Sequence, residues 1–283
     1  MPGAGSNERT AAGSVRGMTR VAVVGHVEWV DFLRVDHLPV RGEVQAARRE
    51  FTHAGGGAVV AAAVLAELGA EVDYFCAVGD DVDGGAAVRE LQQRDIRVHA
   101  ARRETGTRQV LTLLDHDGER TIVTLGERLQ PEGADALDWQ RLEGADAVYV
   151  TAGDRGAVRR ARAARVLVAT PRLRERLDRN GPHLDALVFS ANDQDEVRWA
   201  RTLEPFTGLM VATEGARGGH WWGESEGRWG PVPPPGPIMD TYGCGDSFAA
   251  GFTFGLAGGM TVAEAAEVGA RCGAEMLTRV GAP

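Results

Sequence analysis

Short β-branched runs alternate along the chain with longer runs of small apolar residues, and glycine-rich connections separate them. Residues 21–24 form the first β-branched run and end at Gly25, which predicts a buried strand. Residues 58–68 are rich in alanine and stop at Gly69, which predicts a glycine-capped helix. Further strands are predicted at 72–78, 166–168, 186–189 and 209–212, and a helix at 86–93. Strands that alternate with helices in this way predict βαβ units, a mainly parallel central sheet flanked by helices, and therefore an α/β fold.

Two stretches do not follow this alternation and predict a small β element. Residues 109–114 and 121–125 read as two strands joined by a turn at 115–118, and residues 42–52 lack helical periodicity. We expect the segments near 31–54 and 107–126 to project from the sheet as a lid. No linker divides the chain, so residues 19–283 are predicted to form a single domain.

Composition limits the classes of function. The chain has 283 residues and a formal net charge of −9, which argues against a nucleic-acid partner because binding to phosphate backbones needs clustered Lys and Arg. Three cysteines without a CxxC pair predict neither a disulfide framework nor a zinc site. Residues 1–18 are polar and lack the apolar core of a signal peptide, and no apolar run is long enough to cross a bilayer. These features predict a disordered tail at 1–18, no membrane partner and a cytoplasmic protein.

Residues 240–252 carry the clearest chemical signal, because a glycine-broken loop runs there into an apolar helix. The small residues Gly243, Cys244 and Gly245 let backbone N–H groups converge on a phosphate, and the helix dipole adds to the attraction. The carboxylate of Asp246 at the helix start is poorly suited to bind that anion but well placed to take a proton from an attacking hydroxyl. The segment therefore predicts phosphoryl transfer. The alternative interpretation is an ordinary loop-to-helix junction in which Asp246 is the N-cap.

The pattern D-T-x-G-x-G-D-x-F at 240–248 resembles the second signature of the ribokinase, or PfkB, family of carbohydrate kinases. Other segments resemble family motifs in the same order: the glycine pair at 55–56, the G-D-D-x-x-G turn at 79–84, the N-x-x-E motif at 192–195, T-x-G-x-x-G at 213–218, and V-T-R-x-G-A at 277–282. The resemblance covers nearly the whole chain. It implies a ribokinase-like fold and an ATP-dependent phosphotransferase that phosphorylates a hydroxyl of a sugar or sugar-like molecule.

The resemblance also implies roles for single residues. It makes Gly243, Cys244 and Gly245 the anion hole and Asp246 the catalytic base. The contacts that it implies for the nucleotide lie at Asn192, Thr213, Gly215, Gly218 and Gly245. It places Asp195, where Glu is usual, at the Mg²⁺ and Asp240 with Thr241 at a monovalent-cation site that would take K⁺.

The acceptor side departs from the family pattern. Val60 stands where the family carries an Asn that hydrogen-bonds substrate hydroxyls, which argues against ribose itself. The residues expected to contact the acceptor are Glu28, Asp31, Gly55, Gly56, Gly57 and Asp246. Trp29 offers a stacking face, which keeps an adenosine-type nucleoside kinase open as an alternative. The second alternative is a catalytically silent nucleotide- or sugar-binding regulatory protein.

The lid also bears on oligomeric state. A small sheet with one uncovered face would be buried most simply by a second copy of the chain. The sequence therefore predicts a homodimer formed through the lid.

Overall fold

The structure, a computed structural model, describes residues 17–116, 120–177, 181–206 and 208–281. Most of the tail predicted at 1–18 lies outside these residues, as does part of the predicted turn at 115–118. The strands are β1 (Arg20–Val24), β2 (Glu28–Arg34), β3 (Arg48–Gly55), β4 (Glu71–Gly79), β5 (Arg97–Arg103), β6 (Gln109–Leu114), β7 (Arg120–Leu125), β8 (Ala147–Val150), β9 (Val166–Ala169), β10 (Ala186–Ser190), β11 (Leu209–Thr213), β12 (Gly219–Trp222) and β13 (Gly227–Trp229). The helices are α1 (Gly57–Glu67), α2 (Val82–Gln92), α3 (Arg155–Ala161), α4 (Gln194–Thr202), α5 (Cys244–Ala257) and α6 (Val262–Met276).

Nine strands form the central sheet, in the order β13-β12-β11-β10-β9-β8-β1-β4-β5. The strands from β11 to β5 in this order pair in parallel, whereas β12 and β13 add an antiparallel edge. The predicted α/β fold with a mainly parallel sheet is confirmed.

The central strands are apolar on both faces because helices cover both faces. In β1, Val21 and Val23 pack into a core shared with α1, α2, α5 and α6, whereas Ala22 and Val24 pack into a second core on the side of α3 and α4. Continuous burial explains why β1 reads in the sequence as an unbroken apolar run.

A second sheet has four strands in the order β3-β2-β6-β7. Its β6–β7 pair is antiparallel, as the predicted hairpin requires, while β2 pairs in parallel with β6 and antiparallel with β3. Of the stretch 42–52, only the part from Arg48 onward is a strand, and this strand, β3, continues to Gly55. The small sheet is therefore built from the two segments that do not follow the alternation of strands and helices in the sequence.

The topology brings several loops to one edge of the central sheet. The carboxyl ends of β1, β8, β9, β10 and β11 all lie at this edge because these strands are parallel, and such an edge is where open α/β sheets bind ligands. The strands lead there into His26, Thr151, Arg172, Asn192 and Gly215. In the part of the chain that the structure describes, no helix combines the length and the apolar character needed to cross a membrane.

Candidate active site

The first turn of α5 offers backbone N–H groups to a ligand. Gly243 is the N-cap, with a left-handed φ of 73° that favours glycine. The first intrahelical hydrogen bond is donated by the Ser247 N–H to the Gly243 carbonyl, so the amides of 244–246 have no acceptor within α5. A Cβ added to Gly245 would meet no atom within 4 Å. The helix start is therefore open to an anion, and the helix dipole favours one there.

Asp246 lies in the same turn and is buried, with 5% of its surface exposed. Its Oδ1 accepts hydrogen bonds from Arg172 Nη1 at 2.5 Å and from the Tyr149 hydroxyl at 3.2 Å. The carboxylate raises the pKa of Arg172, so this guanidinium remains charged. Gly243 occupies the N-cap position, and the interpretation of Asp246 as an N-cap is therefore wrong.

The glycines at the start of α1 serve different purposes. A Cβ at Gly57 would lie 2.4 Å from Arg172 Nη1 and 2.5 Å from Asp246 Oδ2, so a side chain there would collide with the buried carboxylate. Gly56 adopts a φ of 101° and would meet His26. Gly55 instead packs against Val30, with a Cβ contact of 2.4 Å. Of these three glycines, only Gly57 lies directly against the Asp246 carboxylate.

Arg172, which pairs with Asp246, has two further arginines near it: the charges of Arg108 and Arg172 both act on Arg128, and we refer to Arg108, Arg128 and Arg172 as the arginine cluster. Arg108 Nη1 lies 3.4 Å from Glu28 Oε1. The charges of Arg128 and Arg172 both act on His26, whose pKa burial lowers, so its imidazole is neutral at neutral pH. Burial disfavours the charged form of Glu28, but the hydrogen bond with His26 and the neighbouring arginines outweigh this effect and lower its pKa.

Glu28 and Asp31 are separated by the small sheet. They are three residues apart on β2, and side chains at that spacing point to opposite faces of a strand. Asp31 accepts a 2.5 Å hydrogen bond from Thr52 and pairs with Arg49 at 3.0 Å. Glu28 thus lies in the arginine cluster, whereas Asp31 is engaged within the small sheet.

The predicted nucleotide contacts lie at the ends of β10 and β11. Asn192 Oδ1 accepts a hydrogen bond from Arg217 at 3.4 Å, and its Nδ2 lies 3.5 Å from where a Cβ of Gly215 would stand. Thr213 donates to the Phe189 carbonyl at 3.3 Å, which holds the two strand ends together. Gly218, at a φ of 87°, packs against the backbone of Gly230. The structure brings Asn192 and Gly215 together, with Gly218 at the far end of the same turn.

The carboxylate of Asp195 lies on the exposed surface rather than in the interior. It is 72% exposed and pairs with Arg198 on the surface of α4. Glu196, the next residue, is turned inward and accepts a hydrogen bond from the Ser190 backbone at 2.8 Å. Burial raises the pKa of Glu196, and the charges of Arg172 and Asp246 reach it. The inward carboxylate of this segment is therefore Glu196, which the motif comparison passed over by one position.

Asp240 is surrounded by donors from three parts of the chain. Arg120 Nη1 lies 2.6 Å from Oδ1 and 2.7 Å from Oδ2, and the backbone N–H groups of Tyr242 and Gly281 also donate to this carboxylate. Thr241 is exposed beside it. Within the described ranges, no group of three or more His, Cys, Asp or Glu side chains is arranged to hold a metal ion.

Comparison with known proteins identifies the family. The pfkB family carbohydrate kinase profile matches residues 18–173 and 180–283. The chain belongs to the pfkB family of carbohydrate kinases. Members of this family are phosphotransferases, so the protein is an ATP-dependent kinase with an alcohol group as acceptor, and the hypothesis from the sequence is confirmed at this level.

Similar proteins include kinases with different acceptors. An ATP-dependent ribose-1-phosphate kinase from Halopiger xanaduensis is 33% identical over 94% of both chains. A microbiome-derived acarbose kinase of known structure is 25% identical, with a TM-score of 0.77 over 94% of both chains. Ribokinase from Thermotoga maritima superposes with a TM-score of 0.76 at 19% identity, over 94% of this chain and 95% of that one, and confirms the fold.

Sequence reasoning missed the residues that balance charge in this kinase. Arg172 comes three residues after β9 ends at Ala169, and a polar residue after a buried parallel strand is the signal that could have found it. Arg108 and Arg128 flank the β6–β7 pair of strands on the chain and carry no motif. Arg108 Nε and His26 Nδ1 are buried and have no hydrogen-bond partner among the described residues. An unpaired buried donor costs about 1–3 kcal/mol, so a ligand that pairs with Arg108 recovers this free energy.

Replacing the predicted base, Asp246, tests the site directly. In Asp246→Asn the side chain keeps its size but cannot accept the proton of the acceptor hydroxyl, so kcat should fall by about 10²–10⁴-fold, the usual contribution of a general base. Coupled ADP release measures kcat, and equilibrium binding measures the affinity for ATP, which should change little. Asp36→Asn, in an exposed loop, is the matched control. Wild-type kcat in Asp246→Asn would contradict the assignment.

Proposed function

We propose that the kinase transfers the γ-phosphoryl group of ATP to a hydroxyl of a sugar phosphate, with ribose-1-phosphate as the type of acceptor. The arginine cluster beside Asp246 is the observation that carries this proposal. Guanidinium groups match the geometry of phosphate oxygens and bind them through charge-assisted hydrogen bonds. A neutral sugar or a nucleoside gives such a cluster no charged partner.

The charge balance of the pocket supports an anionic acceptor. The three arginines face two carboxylates, Asp246 with Arg172 at 2.5 Å and Glu28 with Arg108 at 3.4 Å. No described carboxylate lies within ion-pair distance of Arg128, whose pKa is lowered by burial and by the neighbouring arginines. Arg128 is thus the member of the cluster without an ion-pair partner among the described carboxylates, and an acceptor phosphate would supply one.

Two further observations agree with a phosphorylated acceptor. Val60, at the position of the family's sugar-binding Asn, is fully buried and packs beneath Gly243, where a Cβ would lie 3.0 Å from Val60 Cγ1. Other contacts therefore replace the recognition of sugar hydroxyls by that Asn. We assign this role to the arginine cluster and Glu28. The Halopiger relative is named for ribose-1-phosphate, an acceptor with the anionic group that this cluster fits.

The proposed reaction follows from the positions of Asp246 and α5. The acceptor hydroxyl oxygen attacks the γ-phosphorus, the bond to the β–γ bridging oxygen breaks, and ADP leaves with that electron pair. Asp246 takes the hydroxyl proton, and the first-turn amides of α5, in the loop of Gly243, Cys244 and Gly245, stabilise the transferring group. Arg172 pairs with Asp246 before the acceptor binds. During transfer its guanidinium can stabilise negative charge on the phosphoryl group.

Mg²⁺ bound with ATP would neutralise triphosphate charge. Mg²⁺ prefers oxygen ligands and usually keeps several waters, and Glu196 with Asn192 at the end of β10 supplies such oxygens. Burial of Glu196 disfavours its charged form, and a nearby cation would offset that penalty. We propose Glu196 in place of the predicted Asp195, with Thr213, Gly215 and Gly218 along the nucleotide.

A panel of acceptors tests the function. The value of kcat/KM for ribose-1-phosphate should exceed that for ribose and for adenosine by about 10–100-fold or more, because one charge-assisted hydrogen bond contributes about 1.5–3 kcal/mol. In Arg128→Gln the KM for the sugar phosphate should rise while the KM for ATP stays constant. Arg89→Gln, an exposed arginine on α2, is the control. Equal kcat/KM values for ribose or adenosine would refute the sugar-phosphate proposal.

The two neighbouring carboxylates of α4 provide a paired test of the Mg²⁺ contact. Glu196→Gln should raise the Mg²⁺ concentration needed for half-maximal rate and lower kcat/KM for ATP, because the inward oxygen loses its charge. Asp195→Asn should behave as wild type, since its carboxylate is on the exposed face. Magnesium titrations of the rate distinguish the two variants. The opposite pattern would return the role to Asp195.

We also propose that the small sheet acts as a lid over the acceptor and joins two chains into a homodimer. Its edge strand β7 exposes Ile122, Val123 and Leu125, at 46%, 43% and 46%, and an unpaired apolar edge strand favours association. Light scattering should give twice the chain mass of 30.1 kDa. Val123→Glu should shift the mass toward the monomer. A monomer mass that stays constant as the wild-type concentration rises would refute the dimer.

A further inference from the structure

The carboxylate of Asp240 has little room for a monovalent cation. A carboxylate offers about four lone-pair sites, and Asp240 uses its oxygens for the Arg120 guanidinium, at 2.6 and 2.7 Å, and for the N–H groups of Tyr242 and Gly281, at 2.8 and 3.3 Å. Its side chain is 9% exposed. The residues therefore do not fit the K⁺ site that the family resemblance implies for Asp240 and Thr241.

A neighbouring backbone oxygen is also taken. The carbonyl of Leu277, in the segment that resembles the family's V-T-R-x-G-A motif, accepts hydrogen bonds from the N–H groups of Met239 and Asp240 at 2.7 and 3.3 Å. A cation needs oxygens directed at one point, with their lone pairs free. Here both the carboxylate and this carbonyl serve hydrogen bonds within the protein.

Arg120 connects the small sheet to the anion-hole loop. It lies on β7, its side chain is 19% exposed, and its guanidinium carbon lies 5.3 Å from the centroid of the Tyr242 ring. The Tyr242 hydroxyl accepts a 2.9 Å hydrogen bond from the Gly56 backbone, which borders the acceptor space. One guanidinium thus contacts Asp240 and Tyr242, which lie immediately before the N-cap of α5.

We infer that Arg120 supplies the positive charge that the family resemblance assigns to K⁺, and that this kinase works without a monovalent cation. A guanidinium keeps its charge at every accessible pH and is more weakly hydrated than an ammonium group, so it suits a mostly buried pair with a carboxylate. Because it is part of β7, the cation is present whenever the small sheet is in place. The inference rests on the family assignment and does not depend on which acceptor is phosphorylated.

The test compares salts of equal ionic strength. ATP affinity, the thermal unfolding midpoint and the initial rate of ADP formation with ribose-1-phosphate are measured in potassium, sodium and tetramethylammonium chloride. For the wild type, exchange of tetramethylammonium for K⁺ should change ATP affinity and rate by less than about twofold and leave the unfolding midpoint in place. Measurements of ATP affinity and of the unfolding midpoint need no acceptor, so they remain informative if the proposed acceptor is wrong. A K⁺ stimulation of about tenfold or more in the wild type would overturn the inference. An effect of that size is within the about 100-fold loss of rate that a misplaced reacting group can cause.

Variants of Arg120 give the second arm. Arg120→Ala should lose at least about tenfold in rate in tetramethylammonium, since small displacements of reacting groups have large effects. It should regain part of its ATP affinity and rate with K⁺ or with dilute guanidinium, whereas Arg120→Lys should need neither. Arg48→Ala, on β3 of the same sheet with a side chain 78% exposed, controls for removal of a surface arginine. If Arg120→Ala does not fold, the wild-type salt comparison still decides. An Arg120→Ala protein identical to wild type in all three salts would contradict the inference.

Discussion

A buried carboxylate beside a site for anions has to be balanced by cations, and this constraint organises the active-site edge of the kinase. Asp246 is 5% exposed in the first turn of α5, where the helix dipole attracts a phosphate as well as this carboxylate, so the two negative charges would lie close together. Arg172 and the Tyr149 hydroxyl hold it in place. The pair with Arg172 fixes the orientation of the carboxylate, and the missing side chain at Gly57 lets the start of α1 approach it closely.

Two separate ion pairs hold Asp246 and the loop before it. Arg172, in the turn after β9, pairs with Asp246 on α5, whereas Arg120 reaches Asp240 from the small sheet. The proposed base is thereby held from the edge of the central sheet, and the loop before it from the segment proposed as a lid. Together with Arg108 and Arg128, these arginines gather four guanidinium groups near this edge in a chain whose net charge is −9. Overall charge is therefore a poor guide to what such a pocket binds.

The sequence predicted what depends on local pattern. β1, β10 and β11 were found because burial on both faces leaves a continuous apolar run, and Asp246 was found because its loop carries a long motif. The start of α2 was missed because Gly84 and Gly85 read as a turn, whereas Asp81 accepts a hydrogen bond from Gly84 and caps a helix that begins at Val82. The arginine cluster could not be read from the sequence because its members come from three distant segments and meet only at the sheet edge. Glu196 and Asp195 differ only in the helix face they occupy, which a motif does not resolve.

The central claim is that the acceptor presents a hydroxyl to Asp246 and an anionic group to the arginine cluster at the same time. A crystal structure of the kinase with ribose-1-phosphate and a non-hydrolysable ATP analogue tests it most directly. The account predicts the sugar phosphate oxygens within hydrogen-bond distance of Arg108 or Arg128 and the sugar hydroxyl within about 2.6–3.2 Å of an Asp246 oxygen. A sugar phosphate bound with its phosphate away from both arginines, or with no hydroxyl near Asp246, would contradict the account.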